Sequence, residues 1–421
     1  MKVLWITNIV LPPACEALNI KAPVTGGWML SSAKRLLECS DVELAVATVY
    51  NGVDLKSLAV DGITYYLLPS GGKHIAKYNK SLEKYWLQIK GEYVPDIVHI
   101  HGTEMAHGLA YIRSCGADSV VASIQGLVSV YERYYYGGIS LCDMMRNITF
   151  RDIIRWDNIF QQRANMAERG EREKDYISTV QHIIGRTEWD RSQVLAVNPK
   201  VNYHFCNETL RGVFYQNQWQ YDKCEHHSIF LSQAGYPIKG LHKVLEAARL
   251  VIREFPDLKI YIAGSDITKS TTCNERLRIG GYGKYIKSLI KRYGLQKCVC
   301  FTGPLNEQQI CERYLGSNLF ICPSSIENSP NSLGEAQLLG MPFLSSYVGG
   351  SPDMVNNISP YLLYRFEEIE MLADKICTIF RQTVWPHAER SIEVAKSRHD
   401  GDTNRDRLLE IYKNINKKNE S

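Results

Sequence analysis

The sequence predicts an α/β protein built as two doubly wound parallel-sheet, Rossmann-like domains facing a cleft. Three observations carry this. Apolar stretches such as VELAVATV and LFICPS are continuous rather than alternating, as strands covered on both faces require. Stretches of helical length separate them. The alternation stops once, across Asn207–Glu225, and then restarts. At 421 residues the chain suits two cores, taking roughly 150 to 200 residues per domain.

In order, KVLWITNIV reads as a strand, followed by a loop holding Gly26 and Gly27 and a helix over 28–38. VELAVATV, ITYYLLP, DIVHIHG and SVVASIQG are further strands with helical pieces among them. Residues 151–177 are polar and helical in character, and HIIGRT is a strand before a helix that Thr187 is placed to cap. After the linker, SIFLSQA, LKIYIAG, VCFTG, LFICPS and PFLSS are strands. Helices are expected at 240–255, 282–293, 306–315 and 332–339, and polar helices finish the chain. The expected domains are 1–210 and 225–400, with a C-terminal helix at 401–421 packing back toward the first.

Composition narrows the function. A hydrophobic content of 45% and a charged content of 22% are those of a soluble globular protein. A net charge of +4 is too small for a nucleic-acid-binding surface, which needs clustered Lys and Arg. It leaves room for anionic small molecules or an anionic membrane surface. The 12 cysteines are scattered without a CxxC pair, so reduced thiols of a cytoplasmic protein are expected. The N-terminus resembles a signal peptide, yet Thr7, Asn8 and Pro12-Pro13 break its short apolar run, and a first buried strand fits better. No apolar run approaches the ~18 residues of a membrane span.

The stretch CPSSIENSPNSLGEAQLLGMP, residues 322–342, carries the most chemistry. Its composition reads as an exposed turn between a strand and a helix, with Glu327 and Glu335 at its ends. Ser332-x-x-Glu335 matches a capping box, so Glu335 has a purely local reading. The other reading uses the same geometry. A helix N-terminus after a parallel strand is an anion site, and two carboxylates beside it accept from sugar hydroxyls. Together they would hold a diphosphate between two hydroxyl-rich rings. In FLSQAGYPIKGLHKVLEAA, Lys239 opens a helix, where the dipole disfavours a cation unless an anionic ligand is present. Gly26 and Gly27 in VTGGWML permit close approach of backbone to a ligand.

Other constellations are weaker. His99 and His101 share one strand face, but no third metal ligand lies nearby. Asp400-Gly401-Asp402 lacks a preceding apolar strand and reads as a helix-flanking loop. YERYYYGG, from Tyr131, is either a membrane or acceptor contact, core, or a lid.

PIKGLHKVLEAA, IYIAG, VCFTGPL and CPSSIENSPNSLGEAQLLGMPFLSSYVGGSPDMV together resemble the family 4 glycosyltransferases of the GT-B fold, most strongly over 228–355. The resemblance implies a retaining, metal-independent transferase without a cofactor, acting in surface-polysaccharide synthesis. Lys239 would contact the donor diphosphate, Glu327 the donor sugar and Glu335 the nucleotide ribose. Backbone around Asn331, Ser332 and Leu333 would cradle phosphate, and Gly303 would line the base. Gly26 and Gly27 would face the reacting centre from the N-terminal, acceptor-binding domain; His101, by its place at a strand end, and Gln125 are further candidates for substrate contact there. Two positions depart from the pattern. Ala234 stands where the family has Arg, and Gln125 where it often has His. Gln125 can hydrogen-bond a hydroxyl but cannot act as acid or base, and Arg186 is a candidate for the missing charge. The expected activity moves a sugar from a nucleotide sugar to a glycan or lipid-linked acceptor in the cytoplasm, with a peripheral membrane contact left open. The alternative is a non-catalytic nucleotide-sugar-binding subunit of a partner transferase.

Overall fold

The computed structural model describes residues 1–22, 27–270 and 272–420. The chain divides into two compact units. Unit 1 holds residues 1–130, 167–211 and 399–421, and unit 2 holds 131–166 and 212–398.

Unit 1 is built on eight strands: β1 (Lys2–Ile6), β2 (Glu43–Tyr50), β3 (Lys56–Val60), β4 (Ile63–Pro69), β5 (Ile97–His101), β6 (Val120–Ser123), β7 (His182–Gly185) and β8 (Asn202–Phe205). Their order is β3-β4-β2-β1-β5-β6-β7-β8, parallel except for β3, which runs antiparallel to β4. Alternate residues of β1 serve opposite faces. Leu4 and Ile6 pack with Trp86 and Ile89, and Val3 and Trp5 with Met29 and Tyr412. That two-sided burial is why the strands read as unbroken apolar runs. The helix Gly401–Glu420 completes the second face, where the Trp5 indole N–H donates to the Tyr412 hydroxyl at 3.0 Å. The chain leaves β1 toward β2 and later returns to the other side of β1 as β5. The switch point therefore lies between β1 and β5, and ligands of such sheets bind beside the strand ends there.

Unit 2 holds β9 (Glu225–Leu231), β10 (Lys259–Ile262), β11 (Val299–Phe301), β12 (Ser317–Cys322), β13 (Phe343–Ser346) and β14 (Leu363–Tyr364). The order β11-β10-β9-β12-β13-β14 is parallel throughout, with its switch point between β9 and β12.

Three features differ from the sequence reading. β3 was not expected; its residues lie mostly half-buried or exposed at the sheet edge, so it lacks an apolar run. β8 and the two-residue β14 were missed for the same reason and for shortness. Residues 131–166, expected within the first domain, pack with unit 2. The Thr149 hydroxyl donates to the Ile279 carbonyl at 2.9 Å, Lys284 Nζ to the Arg146 carbonyl at 3.0 Å, and the Gly137 carbonyl meets His242 Nε2 at 2.7 Å.

Candidate functional site

The loops after β9 and β12 flank the switch point of unit 2, and each supplies a charged group. Residues 237–239 form one 3-10 turn, and Gly240, at φ 68°, carries the chain into the helix Leu241–Val251. A Cβ on Gly240 would lie 1.8 Å from the Pro323 carbonyl oxygen, so only glycine lets the two loops meet. The Ser325 N–H then donates to the Ile238 carbonyl at 2.7 Å.

Across this junction Lys239 Nζ lies 2.5 Å from Glu327 Oε1. Both side chains are nearly buried, at 16% and 9% exposure. Burial works to lower the Lys239 pKa, but Glu327 foremost among its neighbours outweighs this, and Lys239 stays protonated with its pKa raised. The Ser324 hydroxyl donates to the same Glu327 oxygen at 2.7 Å. Behind it, the Gly350 N–H holds the Glu327 carbonyl at 3.0 Å, and a Cβ on Gly349 would lie 1.9 Å from that oxygen. The glycines of VGG thus let the backbone close on Glu327.

The ENSPNS loop is buried from Glu327 to Pro330 and half-buried at Asn331 and Ser332. This corrects the expectation of an exposed turn. Its polar groups find partners inside unit 2. Arg398 Nη2 donates to the Ser329 hydroxyl at 3.1 Å, and just before the loop the Ser325 hydroxyl donates to the Tyr134 carbonyl at 2.9 Å. The capping box does not form either. The helix is Asn331–Leu338 with Pro330 at its N-cap, so Ser332 already lies inside it. Glu335, 4% exposed, meets the Tyr314 hydroxyl at 3.5 Å, and that hydroxyl donates to the Ser332 carbonyl at 2.9 Å. The Leu333 N–H returns to the Pro330 carbonyl at 2.9 Å. Gly303, at φ 78°, follows β11, two strands from β9, and bridges to Gly264, with open space where a Cβ would stand. A cavity of about 350 Å³ in unit 2 is walled by Gly235, Tyr236, Ile267, Gly280 and Tyr282, beside the loop that leads to Lys239.

In unit 1, Gln125 and Arg186 come together around a residue the sequence reading passed over. Arg186 Nη1 lies 2.8 Å from Glu208 Oε2, both about 10% exposed or less, and Gln125 Nε2 donates to Glu208 Oε1 at 2.7 Å. Arg186 Nη2 also donates to the Gln125 carbonyl at 2.9 Å. Glu208 lay in the expected linker, so nothing marked it. His101 ends β5, stacked on His99 at 3.8 Å. Its ring nitrogens are buried without hydrogen-bond partners, and burial pushes its pKa down to about 3, keeping the ring neutral. It faces a cavity of about 50 Å³ also lined by Trp5, Trp28, Ser123 and Arg186. His99 is committed to Tyr412 and Ser123, each at 2.5 Å, which accounts for that ring without a metal. Gly27 begins the helix Gly27–Leu37, and Gly26 lies outside the described residues.

Glu104 was also missed. It follows β5 at the switch point of unit 1, where Asn8, after β1, donates to its Oε1 at 2.8 Å. Oε2 is buried without a partner. Burial first, and then the nearby Glu173 carboxylate, push the Glu104 pKa up to about 7. Only its place at a strand end, after Gly102, could have marked it in the sequence.

The two doubly wound units follow the backbones of known solved structures. The backbone follows sucrose-phosphate synthase of Thermosynechococcus elongatus with a TM-score of 0.69, over 99% of both chains at 15% identity. It follows HepE of Anabaena, solved with UDP and glucose, with a TM-score of 0.60 over 98% of this chain and 100% of that one, again at 15% identity. The fold is GT-B. Within it, residues 217–398 match the family model described as glycosyl transferases group 1. That match covers the stretch holding Lys239, Glu327 and Glu335 and leaves the N-terminal half of the chain unmatched. The chain is 27% identical over 142 residues to spore coat protein SA of Bacillus subtilis. That match spans 33% of this chain and 35% of the relative's length.

Proposed function

We propose that the protein is a glycosyltransferase of the hexosyltransferase type, retaining and metal-independent, that moves a sugar from a nucleoside diphosphate sugar to a glycan or lipid-linked acceptor, in surface-polysaccharide synthesis on the cytoplasmic side of a membrane. The observation that carries the donor assignment is the buried Lys239–Glu327 pair at the switch point of the group 1 domain. A leaving nucleoside diphosphate develops negative charge in the transition state, and a protonated, desolvated lysine held in place beforehand stabilises that charge without reorganising. Glu327 would hold Lys239 in position and accept from a donor-sugar hydroxyl. Glu335 would accept from the ribose, with Asn331, Ser332 and Leu333 beside the phosphates and Gly303 at the base. Gly26, Gly27, Gln125 and His101 are assigned to the acceptor side. HepE, which shares the fold, binds UDP and UDP-glucose, which favours a uridine donor. The retaining outcome and the polysaccharide setting rest on the motif resemblance.

Titration calorimetry with UDP, GDP and TDP in metal-free buffer, on the native enzyme and on Glu335→Ala, tests the donor site. UDP is expected to bind, with the substitution weakening it by about 1 to 3 kcal/mol, the scale of a lost buried hydrogen-bond partner. Failure of all three to bind overturns the assignment. A second reading, a nucleotide-sugar-binding subunit without turnover, is favoured by Ala234, which is buried where the family pattern has Arg, and by the commitment of Arg186 to Glu208. Slow release of UDP from UDP-sugars by the purified enzyme excludes it.

A further inference from the structure

The short helix Phe150–Ile154 is amphipathic the wrong way round. Phe150, Ile153 and Ile154 stand at i, i+3 and i+4, the stripe that normally faces a core. Here they are 62%, 63% and 67% exposed. The inward face carries Asp152 instead, 1% exposed, which closes a capping box with Thr149 and takes an ion pair from Arg151 at 3.0 Å. The segment is pinned to unit 2 by its polar side, so its apolar side is presented and not merely loose. Trp156 follows at φ 50°, a left-handed backbone that bulky residues rarely adopt, with its indole 75% exposed. Leu141 and Met145, on the preceding helix, are 64% and 57% exposed.

The neighbouring surface of unit 2 is cationic. The helix Gly281–Arg292, which Lys284 ties to Arg146, shows Lys284, Lys287 and Lys291 on its exposed side. Residues 272–292 carry six Lys and Arg against Glu275 alone. Arg155 is exposed and unpaired among the described residues. Aromatic and branched apolar side chains beside one sign of charge match an anionic lipid surface. The apolar groups enter the headgroup boundary and the lysines meet lipid phosphates. A symmetric contact between two copies would bring these lysines toward their own equivalents, which disfavours self-association. No described helix is long and apolar enough to cross a membrane, so the contact is interfacial.

We infer that this face of the group 1 unit, with Phe150, Ile153, Ile154 and Trp156 at its centre, docks the enzyme on an anionic membrane surface. The inference is independent of the donor assignment. YERYYYGG, a candidate for such a contact, lies just before it and exposes only Tyr134, at 46%, of its four tyrosines. Tyr135 is buried, and Tyr136 lies against Arg163, 5.4 Å from ring centre to guanidinium.

Cosedimentation of the full chain with phosphatidylcholine vesicles, with and without phosphatidylglycerol, tests it. The native protein is expected in the pellet only with phosphatidylglycerol, and salt should release it. Ile154→Ser with Trp156→Ser, and separately Lys284→Gln with Lys287→Gln and Lys291→Gln, should each reduce the bound fraction about tenfold while melting temperature and UDP titration stay as in the native protein. The inference is overturned if the native protein stays in the supernatant with every vesicle, or if the variants pellet like it. It is also overturned if sedimentation equilibrium without lipid shows a dimer that the Ile154/Trp156 variant abolishes, which assigns the face to a second copy.

Discussion

Lys239 Nζ and Glu327 Oε1, 88 residues apart in the chain, lie 2.5 Å from each other between the ends of β9 and β12. A buried pair of this kind costs desolvation on both sides, so its presence is weak evidence of a stabilising purpose. Removing one partner leaves the other charge buried. Lys239→Met or Glu327→Leu alone should therefore lower stability in urea titration by about 3 to 5 kcal/mol. The double variant should recover most of that loss and still fail to transfer sugar. Recovery of transfer along with stability would make the pair structural only.

Two glycines are required by the same junction. Gly240→Ala and Gly349→Ala place a Cβ 1.8 Å and 1.9 Å from carbonyl oxygens that cannot withdraw without opening the loops. Both should fail to give native protein at ordinary growth temperature. Gly294→Ala is the control. Its φ of 70° is equally left-handed, but no atom stands within 4 Å, so it should cost only about 1 to 2 kcal/mol and lower the melting temperature by a few degrees.

The strands covered on both faces were legible because burial on two sides leaves an unbroken apolar run, as in β2 and β12. β3 and β8 were not, because an edge position removes the need for that run. Lys239, Glu327 and Glu335 could be singled out as candidates through motif order, since Lys239 and Glu327 lie in loops after strands and Glu335 lies in the helix that follows. The contact of Lys239 with Glu327 was not legible, because Gly240 against Pro323 creates it through space. ENSPNS looked exposed since its residues are polar, and nothing in the sequence shows that Arg398 reaches Ser329 or that Lys239 and Ser324 meet Glu327. Glu208 was hidden in an irregular stretch whose partner, Arg186, is fixed only by the sheet.

Arg186 gives a prediction that separates structure from donor binding. Its guanidinium is committed to Glu208 and to the Gln125 carbonyl inside unit 1. Arg186→Met should cost about 3 to 5 kcal/mol in urea titration by stranding the Glu208 carboxylate, and Glu208→Leu in the same background should restore most of it. UDP affinity by calorimetry should be unchanged in the double variant. A drop of tenfold or more would show that Arg186 supplies phosphate charge after all.

Glu104 should make stability fall as pH rises. Its folded pKa, about 7, stands above the ordinary carboxyl value of 4.5, so the folded state binds a proton that the unfolded state has lost across that interval. The stabilisation is full below about pH 4.5 and is lost as pH climbs through about 7. Burial is the first cause and Glu173 adds to it, while Arg169 and Arg186 act the other way. Glu104→Gln keeps the shape and the Asn8 contact while removing the titration. Urea midpoints of the native protein and this variant should agree near pH 5, with the variant the more stable at pH 8, by on the order of 1 to 3 kcal/mol. The buried histidines work in the opposite sense and at lower pH. His101 and His107, pushed down by burial to about 3 and about 4, withdraw stability as pH falls below about 6.5, equally in both proteins, so the difference between the two curves isolates Glu104. Coincident curves from pH 5 to 8 would mean that Glu104 ionises in the fold as it does in water, and that its unpartnered oxygen is met by solvent.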